Sequence, residues 1–294
     1  MRLSAESCQR RYARDADDGK SGVLATVVHC VVVDRATNPA DNVSVSYRTV
    51  GDGPPMVMLH ATALSQAMWR AFGYVAALRD SHRLLLIDFR GHGRSDKPHS
   101  SSAYAMDLLV GDVLAVLDEE GIDRADVFGY SLGSRVALSM ATSAPDRVRR
   151  LVLGGTSSRV QAGAFDALFF PGCAAVLADD GMDAFIARWE EQRGTPVDPA
   201  TRMAFSVNDA TALAAYMREL DRDPGVPDAA LAALPHPTLA FVGADDDTRL
   251  ADTEHVVETI PDARMLIVPG RDHASTPAAS EEILAEVAPF LSVN

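Results

Sequence analysis

FGYSLGSRVAL, residues 128–138, sets Ser131 between Gly129 and Gly133 directly after an apolar run. ADVFG (125–129) reads as a buried strand and Leu132 to Ser143 as a helix, so Ser131 falls on a strand-to-helix junction. G-x-S-x-G at such a junction is the nucleophile-elbow pattern. The turn is too tight for side chains at the flanking positions. It lifts the hydroxyl clear of the sheet and beside a helix N-terminus, where a backbone N–H and the helix dipole steady a developing oxyanion. Gly133, Ala137 and Ala141 recur at four-residue spacing, a small-residue stripe that lets the helix lie close to the sheet. The competing reading is a helix N-cap serine in a glycine-rich turn, and the surrounding pattern favours the elbow.

Outward from this point, short apolar runs alternate with helical patterns. VSVSYRTV (43–50), PMVMLH (55–60), RLLLID (83–88), VRRLVLGG (148–155), PTLAFVG (237–243) and ARMLIVPG (263–270) read as strands. Helical spacing runs from Tyr104 to Glu120, over 250–260, and from about Ala278 to Leu291. Alternating strands and helices with buried-type strands predict an α/β fold: a mostly parallel sheet with helices on both faces. Residues 157–235 hold several helical segments and no strand pattern, and read as a helical cap over the carboxyl edge of the sheet. The core is then 43–156 with 236–294. Residues 1–42 read as a tail, with VLATVVHCVVVD as an added edge strand.

A serine hydroxyl needs a base, and the base needs an orienting acid. FVGADDD ends one strand with three carboxylates, and PGRDHAS ends the next with His273. Both lie at the carboxyl ends of parallel strands, where loops converge on one edge. Among the other histidines, His29, His82 and His236 fall in or at the start of strands, His99 and His255 look exposed, and His92 sits in a glycine turn. Asp112 and Asp118 read as the solvated face of a helix.

Composition narrows the classes. The 294 residues are 47% hydrophobic and 23% charged, which predicts a packed core. A net charge of −14 repels phosphate backbones and anionic lipid, so neither nucleic acid nor membrane is an expected partner. No apolar run approaches the roughly 18 residues of a membrane span. Cys8, Cys30 and Cys173 form no C-x-x-C pair, which points to a reducing cytoplasm. No metal-ligand spacing appears, and DDGKS lacks the upstream glycine of a P-loop. No cofactor is expected, and the expected partner is a small-molecule substrate.

In order and spacing, LHATALSQAMW (59–69), DFRGHGRSD (88–96), FGYSLG (128–133), APDRVRRLVL (144–153), PTLAFVGADDD (237–247) and PGRDH (269–273) resemble the α/β-hydrolase-fold serine hydrolases over about residues 43–291. The resemblance implies Ser131 as nucleophile, His273 as general base and Asp246 as the acid, with Asp245 or Asp247 taking that role if the loop shifts by one. It implies an oxyanion hole from the backbone N–H groups of Thr62 and Leu132. Two departures stand out: Ala61 where relatives commonly have glycine, and Ser134 where many have a second glycine.

The cap holds five of the ten phenylalanines. Phe165, Phe169 and Trp189, with Met68 and Trp69 after the oxyanion loop, are candidates for an apolar pocket wall; the alternative is that the cap aromatics form the cap's own core. The expected function is hydrolysis of a carboxylic ester or lactone of a small, fairly apolar substrate, and the spacing also resembles enol-lactone hydrolases and perhydrolases. Two alternatives are hydrolysis of a carbon–carbon bond in a ring-cleavage product and a non-catalytic ligand cup on the same fold.

Overall fold

The computed structural model describes residues 34–159 and 162–292. The edge strand expected within residues 23–34 lies, but for its last residue, outside them. Eight strands form one sheet: β1 (Asp34–Thr37), β2 (Ser44–Val50), β3 (Pro55–Leu59), β4 (Arg83–Ile87), β5 (Ala125–Tyr130), β6 (Val148–Gly154), β7 (Thr238–Gly243) and β8 (Ala263–Val268). Their order is β1-β2-β4-β3-β5-β6-β7-β8. β2 runs antiparallel to β4, with Tyr47 opposite Ile87. From β4 through β3, β5, β6 and β7 to β8 every pairing is parallel. β1 lies inside the stretch read as a tail, so the sheet begins before residue 43.

Alternation along the strands builds two cores, one on each face, because successive side chains point to opposite sides. Val57, Leu59, Leu85, Ile87, Val127 and Leu153 feed one. Met56, Met58, Leu84, Leu86, Phe128 and Phe241 feed the other. The second face is covered by α1 (Ala67–Ala71), α2 (Tyr74–Leu78) and the C-terminal helix, Ser280–Ser292. The first is covered by α3 (Met106–Glu119), α4 (Leu132–Ser143) and Leu250–Thr259.

Between β6 and β7 the chain forms α5 (Ala164–Leu168), α6 (Cys173–Asp179), α7 (Gly181–Arg193), α8 (Pro199–Ser206), α9 (Ala210–Leu220) and α10 (Asp228–Ala232). No strand interrupts them among the described residues. Their starts are legible: Asp198 caps α8 through Ala200 and Thr201 N–H with Pro199 following, and Asp209 caps α9 through Ala212 N–H. After β7 come α11 (Leu250–Thr259) and α12 (Ser280–Ser292). No helix among the described residues is long and apolar enough to cross a membrane.

Asp112 corrects the sequence reading. Its side chain is fully buried, and Arg90, equally buried, meets it with two hydrogen bonds, Nε at 2.7 Å and Nη2 at 2.6 Å. Arg90 Nη1 reaches Asp41 at 2.5 Å and the Ala103 carbonyl at 2.7 Å. Helical spacing put Asp112 outward; its ion pair with Arg90, 22 residues earlier in the loop after β4, draws it in. Asp118 does lie on the exposed side, paired with Arg147. Removing one partner of a buried pair strands the other's charge. Asp112→Ala is therefore expected to cost about 3 kcal/mol or more in urea unfolding; a loss below about 1 kcal/mol would show that Asp41 alone satisfies Arg90.

Candidate active site

Ser131 sits at φ 53°, ψ −111°, between the end of β5 and the start of α4. Its flanking glycines are a steric requirement. A Cβ at Gly129 would lie 2.2 Å from the Gly133 carbonyl oxygen, and one at Gly133 would lie 2.0 Å from that of Leu59. Non-glycine residues rarely hold a positive φ, so the strain falls on the serine itself. Ser131 N–H is anchored to the Gly154 carbonyl at 2.8 Å. At the departing position, Ser134 Oγ donates to the Ser131 carbonyl at 2.7 Å, so the extra hydroxyl braces the turn.

Ser131, His273 and Asp246 come together. Ser131 Oγ lies 2.9 Å from His273 Nε2, and His273 Nδ1 lies 2.7 Å from Asp246 Oδ2. A carboxylate on Nδ1 fixes that nitrogen as the protonated one, leaving Nε2 to accept from the serine. Asp246 is buried, whereas Asp245 and Asp247 are exposed. Burial pushes the Asp246 carboxyl upward, but the His273 hydrogen bond and charge, with Thr248 Oγ1 at 2.7 Å, hold it below its ordinary value. Tyr130, inside the elbow, donates its phenol to the His273 carbonyl at 2.6 Å and stacks on Phe241. This residue fixes the histidine loop from below.

Thr62 and Leu132 both line the cavity at Ser131. Leu132 opens α4, so its N–H has no carbonyl one turn behind it. Among the described residues neither N–H donates to another backbone group. The loop holding Thr62 takes its positive φ at Ala63, 59°, and Ala61 stays out of that region. Ala61 thus fits where relatives have glycine because the tight residue is two positions on. Four groups hold the loop: Asp88 accepts from Gln66 N–H at 2.8 Å, and His60 Nδ1 donates to the Ala61 carbonyl at 2.8 Å. From the cap, Asn208 Nδ2 donates to the Ala63 carbonyl at 2.8 Å, and the Tyr216 hydroxyl lies 2.7 Å from Thr62 Oγ1.

His60 is also a hydrogen-bond acceptor at Nε2, from Phe89 N–H at 3.1 Å, so its neutral tautomer is built in. Burial lowers its pKa to about 4 and that of neighbouring His92 to about 3. Above their ordinary 6.5 the pair adds no pH dependence, since both states are neutral. As pH falls from there towards the folded values, the unfolded chain binds protons that the native one refuses. Stability is expected to fall with pH over that window, each histidine adding up to about 1.4 kcal/mol per pH unit. Urea unfolding from about pH 7 to about pH 5 measures this; a flat profile would refute the buried neutral pair.

The cavity over Ser131 is narrow, about 30 Å³, which holds a water or two. Phe165 lines it, with Tyr216, Arg135 and Leu220. The other pocket candidates lie elsewhere. Met68 and Trp69 are buried in the core beneath, where Trp69 packs on Tyr74 and Phe128. Phe169 and Trp189 pack against each other at 5.1 Å and around Phe185 and Phe205. The cap aromatics thus spend their area on one another, and the wall is more polar than the cap's composition predicts. Arg135 was visible in principle: four residues after Ser131, it shares that helix face. Tyr216 and Arg249, which also line the cavity, had no local signal.

The sequence model described as alpha/beta hydrolase fold matches residues 54–196. A 2-hydroxymuconate semialdehyde hydrolase of a Pseudomonas species is 29% identical over 237 residues, 80% of this chain and 76% of the relative. The pimeloyl-[acyl-carrier protein] methyl ester esterase of Nitrosomonas europaea is 37% identical over 110 residues, 37% of this chain and 40% of the relative. The matched stretch spans 55%, 76% and 40% of the first three curated relatives, about half their length on the whole. A hydrolase from Pseudomonas aeruginosa superposes with a TM-score of 0.76 at 28% identity, over 89% of this chain and 98% of that one. The chain has the α/β-hydrolase fold. Among the relatives it matches are proteins named hydrolases and esterases.

Proposed function

We propose that the chain is a serine hydrolase cleaving a carboxylic ester or lactone of a small substrate through an acyl-enzyme on Ser131. The observation behind this is the continuous hydrogen-bonded run from Ser131 Oγ through both ring nitrogens of His273 to buried Asp246. Ser131 Oγ attacks the carbonyl carbon while His273 Nε2 takes its proton. Asp246 holds the Nδ1–H tautomer and stabilises the imidazolium. The tetrahedral oxyanion rests on the N–H groups of Leu132 and Thr62. The intermediate collapses, the leaving oxygen takes the proton from Nε2, and water then repeats the sequence on the acyl-enzyme.

A fluorophosphonate probe tests the activated nucleophile without knowledge of the substrate. Labelling at Ser131 by peptide mapping, together with turnover of short-chain p-nitrophenyl esters, is the expected result. An unlabelled Ser131 and no turnover would favour a ligand cup. Hydrolysis of a carbon–carbon bond stands second, on the name of the Pseudomonas relative; its test is loss of the absorbance of a ring-cleavage product.

A further inference from the structure

Thr62 and Tyr216 belong to the same cavity wall as Ser131 and Leu132, and each carries a hydroxyl. Thr62 Oγ1 and Tyr216 Oη lie 2.7 Å apart, and either can be the donor. Among the described residues neither hydroxyl has another hydrogen-bond partner. Each oxygen carries one proton, and their mutual bond uses one of the two. One O–H is therefore left over, on whichever oxygen accepts. The phenol is fixed before any substrate arrives: Tyr216 is 1% exposed, and its ring centroid lies 5.4 Å from that of His92, 6.0 Å from Tyr104 and 5.6 Å from Phe165. Burial, joined by the charge of Asp223, raises its pKa, and the opposing Thr62 hydrogen bond and Arg249 charge do not undo the rise. Tyr216 therefore keeps its proton. Thr62 holds two donors on one residue, this hydroxyl and a backbone N–H that no backbone group accepts among the described residues.

We propose that the Thr62 side-chain hydroxyl is a further donor to the oxyanion, and that Tyr216 is a positioning residue which donates to Thr62 Oγ1 and so leaves the threonine proton free. This rests on the serine-hydrolase reading above. The leftover proton goes to Thr62 because its own N–H already serves the oxyanion in that mechanism. As Ser131 Oγ bonds to the carbonyl carbon, the π pair moves onto the carbonyl oxygen and His273 Nε2 takes the serine proton. The Thr62 proton stays on its oxygen and is shared as a hydrogen bond. Accepting from Tyr216 makes that O–H a stronger donor, since linked hydrogen bonds polarise one another. A neutral carbonyl gains less from it than a full oxyanion, so the effect falls on kcat. A plainer role competes, in which the pair only fastens the cap to the loop. Fastening needs both hydroxyls equally, whereas donation makes the threonine dominant and lets the tyrosine act only through it.

The experiment measures the second-order rate of Ser131 labelling by an alkyl fluorophosphonate, with kcat and KM on p-nitrophenyl butanoate alongside. In labelling, Ser131 Oγ bonds to phosphorus, fluoride leaves, His273 takes the proton and the phosphoryl oxygen gathers the developing charge. Thr62→Val keeps the backbone N–H and removes the hydroxyl; it should lower the labelling rate and kcat about 100-fold with KM changed by no more than about threefold. Thr62→Ser should recover at least about tenfold of that loss, and Tyr216→Phe alone should cost about tenfold. Thr62→Val combined with Tyr216→Phe leaves no hydroxyl unpaired, which keeps the test if the single variant fails to fold. It should lose no more than Thr62→Val alone, because the tyrosine acts through the threonine. Labelling within about threefold of wild type in both valine variants overturns the proposal. So does a large loss in Tyr216→Phe with Thr62→Val near wild type, which would make the phenol the direct donor. Either result leaves the hydrolase reading standing; wild-type Ser131 that takes no label removes both.

Discussion

Ser131→Ala is expected to lower kcat on any ester the chain hydrolyses by about 10⁶-fold, leaving only what the oxyanion donors and binding supply. The reason is chemical. His273 and Asp246 remain, but neither occupies the position from which a carbonyl carbon is attacked. The folded state should barely notice, since among the described residues Ser131 Oγ is hydrogen-bonded to His273 Nε2 alone. Its backbone strain at φ 53° belongs to the turn and persists with alanine. A thermal melt shifted by no more than a few degrees would separate lost chemistry from lost structure. Rates within tenfold of the parent would mean that another group is the nucleophile.

Asp246→Asn is the second large effect, with kcat expected to fall by about 10⁴-fold. An amide presents an N–H donor as readily as an oxygen, so His273 loses the reason to keep its proton on Nδ1. It can then turn Nε2–H towards the serine, and a protonated nitrogen cannot act as the base. The substitution also removes a stability term whose sign follows from the lowered folded pKa of Asp246. That contribution is complete above the ordinary aspartate range and is lost as pH falls through the folded value. Steady-state kinetics with urea unfolding at neutral and acid pH measures both. Asp245→Asn and Asp247→Asn, at exposed positions, serve as controls with little expected change.

The parts legible in the sequence were those fixed by local geometry. Gly129 and Gly133 announce the elbow because neighbouring backbone occupies the space of their missing side chains. The meeting of Asp246 and His273 was legible because each follows a parallel strand, β7 and β8, and emerges at the same sheet edge. Asp112 was misread for a converse reason: its partner Arg90 comes from a loop that only the fold brings to α3. Phe169 and Trp189 failed as wall residues because an aromatic near a cavity and one in a cap core look identical in sequence. Their placement depends on how six short helices pack, which no spacing rule encodes. Thr62 rests on backbone alone, and backbone donors leave no residue signature.

The bonds from Asn208 to Ala63 and from Tyr216 to Thr62 make the roof part of the machine. A substrate that displaced those helices would unfasten the loop holding Thr62, on which the proposed mechanism rests the oxyanion. Grafting a foreign lid to change selectivity would therefore impair turnover of even a well-matched guest, unless an amide and a phenol return at the same two points.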